Sequence, residues 1–347
     1  MVNRPALKPA QTYQDWVDNS LCDPIQRRIP AWLPPNYISL LNNIVCWATF
    51  VLAFAIVSAA SQQRYLVASF YRMMVGILTF ASMVLDCMDG RHARATGQTS
   101  PLGECMDHGL DTINIQLISA SLLVSCQLEP HVVCTMLCGS AMVYHGQVLL
   151  FRHTHVMTDA PTSGVIAQSI TAVVHVAVAV LLAFCDRQSH GVQLIFNIVI
   201  VYGIVVQIEN CYFYVSRLES SGLVKNYVIF GLISLICSIL YLFGLVSQPE
   251  FIILYCMIAF RSTGLTVLFS VVSKVNPGVV LAAHTPQFDL LIASGLSILL
   301  LDRAVLTPIG LSIPYSPWLM SALIVFINLY HVYRCLPWLY RIEIKKE

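Results

Sequence analysis

Residues 65–128 read YLVASFYRMMVGILTFASMVLDCMDGRHARATGQTSPLGECMDHGLDTINIQLISASLLVSCQL. Two apolar runs, 65–86 and 111–128, flank a polar stretch, and every charge in the segment except Arg72 lies between or at the ends of those runs. Each run has the roughly 17–25 apolar residues that a membrane-crossing helix needs. The turn-forming residues Thr96 to Pro101 separate them, so the segment reads as two helices joined by a short loop.

The same pattern fills the chain. Its 347 residues are 57% apolar and only 11% charged, with mean hydropathy +0.73. A soluble domain carries about 25% charged residues, so this chain cannot cover itself with a solvated surface, and it is far too apolar for disorder. A β-barrel would alternate over segments of about 10 residues, whereas these runs are unbroken. Candidate spans fall at 38–60, 65–86, 111–128, 131–152, 163–185, 191–213, 227–247, 250–273, 287–308 and 316–336. The expectation is an all-α polytopic membrane protein with about ten transmembrane helices. A net charge of +1 gives no case for nucleic acid, and the 12 cysteines, scattered without a CxxC, suggest neither disulfides nor a metal site.

An even number of spans puts both termini on one side. With that side cytosolic, 14 of the 19 Lys and Arg residues lie there and only Arg64, Arg187 and Arg303 lie opposite, as the positive-inside rule requires. Residues 10–28 place Tyr13, Trp16, Val17 and Leu21 at helical spacing and read as an interfacial helix. The whole of 1–347 reads as one integral membrane domain: a cytosolic segment at 1–37, catalytic helices at 38–152 and further spans at 153–347. Within spans, Arg72 reads as snorkelling to the interface, and His175 as a hydrogen-bonded core residue.

Asp86, Asp89, Glu104, Asp107 and Asp111 fall within 26 residues, where an even spread of the chain's acids predicts about 1.4. Asp86 and Asp89 are i and i+3 at the end of one helix; Asp107 and Asp111 are i and i+4 at the start of the next. Each pair shares a helix face, so two joined helices can aim four carboxylates at one point. Such a cluster repels itself without a counter-ion. Mg2+ relieves it through carboxylates and substrate phosphate oxygens, and two ions about 3.5–4 Å apart can clamp a phosphoryl displacement. Gly90 and Gly103 allow close backbone approach to a ligand, and Arg94 can fork onto a phosphate.

The spacing D-x2-D-G-x2-A-R-x8-G-x3-D-x3-D from Asp86 to Asp111 resembles the signature of the CDP-alcohol phosphotransferase family, with every fixed position filled. SPLGECMDHGLD at 100–111, WLPPNYIS at 32–39 and the helix from Tyr13 to Leu21 resemble the choline/ethanolamine phosphotransferase branch. The resemblance implies transfer of phosphoethanolamine or phosphocholine from CDP-ethanolamine or CDP-choline to diacylglycerol or an ether-linked analogue, with CMP released. It implies two Mg2+ or Mn2+ ions on Asp86, Asp89, Asp107 and Asp111. A donor site would be formed by Asn36, Gly90, Ala93, Arg94, Gly103 and Glu104, with Glu104 also placed to complete the metal shell. The base is Asp111 or His145. A homodimer in the endoplasmic reticulum or Golgi, with its active site facing the cytosol, is the further expectation.

Two departures stand out. The branch carries an H-W-Q element, of which His145 and Gln147 match and Gly146 does not. It also carries D-V-T-E, of which Asp159 matches while Thr162 stands in place of the Glu. Other readings are a CDP-alcohol enzyme for another headgroup, a prenyltransferase, whose aspartate motifs sit on well-separated helices, and an ion-coupled transporter, which would place its carboxylates near the midplane of inverted repeats.

Overall fold

The computed structural model describes residues 9–184 and 190–275, with five residues near the C-terminus (319, 322–324 and 326). Every regular element among the described residues is helical. A surface helix comes first: α1 (Pro9–Val17), a π-helical turn (Asp18–Cys22) and α2 (Asp23–Gln26). Then follow α3 (Pro35–Ser61), α4 (Tyr65–Thr96), α5 (Pro101–Cys126), α6 (Pro130–Thr154), α7 (Gly164–Phe184), α8 (His190–Val215), α9 (Ser221–Leu242) and α10 (Gln248–Ala259). A second π-helical turn (Phe260–Gly264) leads into α11 (Leu265–Val275). Among the described residues, eight stretches, with α10 to α11 counted as one, are long and apolar enough to cross a membrane, matching the first eight predicted spans. The predicted span 287–308 lies outside the described residues, as does 316–336 apart from those five. The protein is an all-α polytopic membrane protein.

The helices run further than the apolar pattern around the acidic stretch. α4 continues ten residues past 86, and α5 begins ten residues before 111. Backbone hydrogen bonds need no apolar side chains, so a helix persists after its lipid-facing run has ended. At 32 residues α4 is about 48 Å long, well beyond a hydrocarbon core of about 30 Å. It stops at Gly97, whose φ of +70° suits a residue without a Cβ. Ser100 then starts α5, its hydroxyl accepting from the Gly103 amide at 3.0 Å. The seventh span begins and ends about five residues earlier than predicted because Lys225 and Asn226 are helical and Gly244 (φ +68°) follows the helix end.

The described chain forms two compact units. The first comprises Met1–Thr99, Leu117–Gln127 and Asp159–Phe213. In it α4 packs against α3 and α7, and the surface helix buries Val17 and Cys22 against Ile38, Met83 and Met88. Tyr13 donates to Ser169 of α7 at 2.9 Å, while Trp16 faces outward, as an interfacial anchor should. Arg72 is buried and does not snorkel. Its guanidinium donates to the Ser125 carbonyl at 2.6 Å, a cation on the C-terminal turn of α5. His175 is buried as expected, but neither ring nitrogen has a hydrogen-bond partner among the described residues.

The second unit comprises Ser100–Gln116, Leu128–Thr158 and Tyr214–Glu347. Its core joins Tyr144, Val148 and Phe151 of α6 to Leu265, Leu268, Phe269, Val271 and Val272 of α11, with Leu102, Cys105 and Ile115 of α5 packed on it. Outward-facing Leu40, Ile44 and Val51 of α3, and Leu194, Ile198, Val201, Val205 and Ile208 of α8, form apolar faces that water would not tolerate at this extent but lipid does.

Candidate active site

Asp86 and Asp89 sit on the last third of α4, and α3 was built to receive them. Ser39 and Asn42, one turn apart on α3, point at the pair. The Ser39 hydroxyl donates to Asp89 Oδ2 at 2.5 Å, and the Asn42 amide donates to Asp86 Oδ1 at 3.2 Å. Ser82, one turn before Asp86, donates to Asn42 Oδ1 at 2.6 Å, which fixes the amide so that its NH2 faces the carboxylate. The Gly90 amide adds a bond to Asp89 Oδ1 at 2.6 Å. Asp89 is only 4% exposed. A carboxylate that deep needs hydrogen bonds or a cation to stay ionised, and Ser39 and the Gly90 amide supply two hydrogen bonds directly.

The donor-site candidates of this unit cluster around the same turns. His92 is fully buried and donates from Nε2 to the Leu33 carbonyl at 2.9 Å, while Gln98 donates to the Ala31 carbonyl at 2.8 Å. These bonds pin the 31–34 loop to α4, and half-buried Asn36 follows on the first turn of α3. Gly90 lies beneath Arg94: a Cβ there would sit 3.2 Å from Arg94 Nη1. Arg94 is exposed and Ala93 half-buried. Arg91 faces the other way, paired with Asp18 and with Asp23 (2.6 Å) of the surface helix. Asp18, Cys22 and Cys87 also present ligand atoms close together, but the Arg91 guanidinium already neutralises Asp18, and a cation beside it is disfavoured.

In the second unit, Asp107, His108 and Asp111 bring ligand atoms within 4.8 Å of one another on α5, with His108 Nδ1 3.9 Å from Asp107 Oδ2. Hard carboxylate oxygens and one imidazole on a half-buried helix face suit a divalent ion such as Mg2+ or Mn2+, so the residues fit the expected metal. Tyr144 of α6 donates to the His108 carbonyl at 2.7 Å, which sets α6 in register with this turn. His145, the next residue, is fully buried. Its Nδ1 shares a hydrogen bond with Thr263 Oγ1 at 3.0 Å, and its ring packs on Tyr227 and Phe230. Glu104 pairs with Lys274 at the end of α11, 2.8 Å away, and Gly103 is half-buried at the first turn of α5.

The departure at Gly146 has a steric cause. A Cβ there would lie 2.8 Å from Tyr214 Cβ and 3.3 Å from the Tyr227 ring, so two tyrosines occupy the room an aromatic at 146 would need. Sequence reasoning passed over Ser39, Asn42, Ser82, Thr263 and Lys274. Ser39 and Asn42 left a signal, two polar residues at i, i+3 in an apolar run, as did Ser82, one turn before Asp86 on the same helix; Thr263 and Lys274 act from distant positions and left none.

A family model for CDP-alcohol phosphatidyltransferase matches residues 32–209. Cholinephosphotransferase 1 of Gallus gallus is 28% identical over 236 residues, 64% of this chain and 65% of that protein. Ethanolaminephosphotransferase 1 of Mus musculus is 36% identical over 91 residues, 25% of this chain and 23% of that protein. Cholinephosphotransferase 1 of Homo sapiens is 31% identical over 123 residues, 35% and 27% of the two chains. Each match spans less than two thirds of the relative's length. With the model covering more than half of the chain and every signature position in place on α4 and α5, the chain belongs to the CDP-alcohol phosphatidyltransferase family.

Proposed function

We propose that the protein transfers phosphoethanolamine or phosphocholine from the CDP ester to diacylglycerol or an ether-linked analogue and releases CMP. The observation that carries this reading is the pair of aspartates on α4 held by Ser39 and Asn42, within a complete family signature. Asp86, Asp89, Asp107 and Asp111 would hold two Mg2+ or Mn2+ ions. Bound there, the ions would supply charge neutralisation for the diphosphate.

The chain's own groups do the rest. Arg94, above Gly90, offers a planar fork to a phosphate oxygen. Asn36, Ala93 and Gly103 flank the donor. The acceptor hydroxyl gives its proton to a base as its oxygen attacks the β-phosphorus; the bond to the bridging oxygen breaks, and that oxygen leaves with CMP. Asp111 and His145 are the candidate bases. A hydrogen bond donated by His145 Nδ1–H to Thr263 Oγ1 favours the imidazole, because it orients the ring and leaves the lone pair on Nε2 as the working base. Direct transfer inverts configuration at phosphorus. Residues 38–152 carry the chemistry in this reading, and 153–347 complete the membrane domain. A cytosol-facing site in the endoplasmic reticulum or Golgi, in a homodimer, completes the proposal.

The test is a donor panel with purified protein in lipid, Mg2+ or Mn2+, diacylglycerol, and CDP-ethanolamine, CDP-choline or CDP-inositol-type controls. CMP release from an ethanolamine or choline donor is expected, with phosphatidylethanolamine or phosphatidylcholine as product. Turnover of neither donor, or equal CMP release by the Asp89→Ala variant, overturns the reading.

A further inference from the structure

Glu104 enters from the sequence as a fifth carboxylate beside the metal ligands, yet in the structure it holds a lysine. Lys274 Nζ lies 2.8 Å from Glu104 Oε1. Lys274 is carried by the last turn of α11, whose Val271 and Val272 are fully buried in the core shared with α6, so the base of its side chain is fixed. Its ammonium lies 5.8 Å above the Phe151 ring, and the same ring meets His108 edge-on at 5.8 Å. Along α5, Asp107 and Asp111 follow Glu104 at i+3 and i+7 and so share its face. A cation therefore stands at the rim of the carboxylate face, its ammonium over an aromatic ring and paired with one acid.

A structural ion pair does not account for this. Both side chains are part-exposed, 39% for Lys274 and 26% for Glu104, and such a pair adds little to stability. A flexible ammonium with three donors is, however, a good point-charge binder of phosphate. We propose that Lys274 is a donor-binding residue: its ammonium takes a phosphate oxygen of the CDP ester and offsets the charge that grows on the bridging oxygen as CMP departs, with Glu104 holding it in place between turnovers. Glu104 is then a positioning residue for Lys274. The inference rests on the donor reading above and adds the residue that recognises the leaving group.

The experiment uses the full chain in lipid nanodiscs, as wild type, Lys274→Met and Lys274→Arg. CMP binding is measured directly by calorimetry, and KM is measured separately for the CDP donor and for diacylglycerol. Lys274→Met should weaken CMP binding and raise donor KM about tenfold each, leaving the diacylglycerol KM within about twofold, and Lys274→Arg should restore most of the loss. CMP affinity and donor KM unchanged in Lys274→Met overturn the inference. So does a parallel rise of both KM values that Lys274→Arg fails to rescue, the signature of a general structural defect. If wild-type protein turns over neither donor, the donor reading itself falls. If it turns over a donor while Lys274→Met behaves as wild type, only the role of Lys274 falls.

Discussion

The two aspartate pairs have the same residue type at similar helical spacing, i, i+3 and i, i+4, and different physical settings. Asp86 and Asp89 meet a set of partners built for them: Ser39, Asn42 and the Gly90 amide, with Asp89 at 4% exposure. On α5, Asp107 is 26% exposed, and its company is an imidazole and, one turn earlier, the Glu104–Lys274 pair. Burial explains the contrast. A carboxylate withdrawn from water loses solvation that only hydrogen bonds or cations replace, so Asp89, the buried member of the four, needs a polar lining on α3, while Asp86 is half-buried like Asp107 and Asp111. The α5 pair, with both members half-buried, stays closer to water, while Asp89 is set by hydrogen bonds from α3 and its own backbone.

The largest effects should come from removing the carboxylates. Asp89→Ala and Asp107→Ala are each expected to reduce CMP release at least about 10³-fold, because metal-clamped phosphoryl transfer loses most of its electrostatic stabilisation with one ligand. Full activity in either variant, with normal yield from the membrane, would reduce that pair to a structural role and break the comparison at its root.

Next come the groups that hold the α4 pair. Ser39→Ala and Asn42→Leu should raise the Mn2+ concentration for half-maximal activity by about 10–100-fold, the usual cost of losing an outer hydrogen bond to a metal ligand. Saturating Mn2+ should recover most of the rate. An unchanged Mn2+ requirement would show that burial alone shapes the pair and that the Ser39–Asn42–Ser82 relay is incidental.

That relay also marks the limit of sequence reasoning. The apolar runs located the first eight spans, and the spacing from Asp86 to Asp111 located the acidic turns, because hydropathy and helical register are local properties. The turn residues Thr96 to Pro101 also located the break between α4, which ends at Thr96, and α5, which begins at Pro101, although apolarity ceases about ten residues earlier on each side. The partner of Asn42 is read only when α3 is seen beside α4, and Lys274 stands 170 residues from the glutamate it pairs with. No local pattern records such a pairing. The burial of Arg72 was missed for the same reason: its acceptor is a carbonyl at the far end of another helix.

The smallest effect concerns what lies outside the α4 pair. Arg91, two residues after Asp89, ties α4 to Asp18 and Asp23 of the surface helix, and the first unit alone carries that helix. These ion pairs are part-exposed, so each is worth about 0–1 kcal/mol, while Val17 and Cys22 remain fully buried beneath. Arg91→Ala should therefore loosen the helix without releasing it. Proteolytic cleavage within residues 9–26 should quicken about 30-fold or less, the factor that two pairs of up to about 1 kcal/mol each allow. Raising salt to about 0.5 M should quicken cleavage of the wild type towards that rate, because screening weakens exposed pairs, and should add little to Arg91→Ala. Cleavage unchanged by both the substitution and salt would assign the hold on the surface helix to apolar packing alone. The α4 pair would then owe its setting to α3 and not to the charged strap beside it.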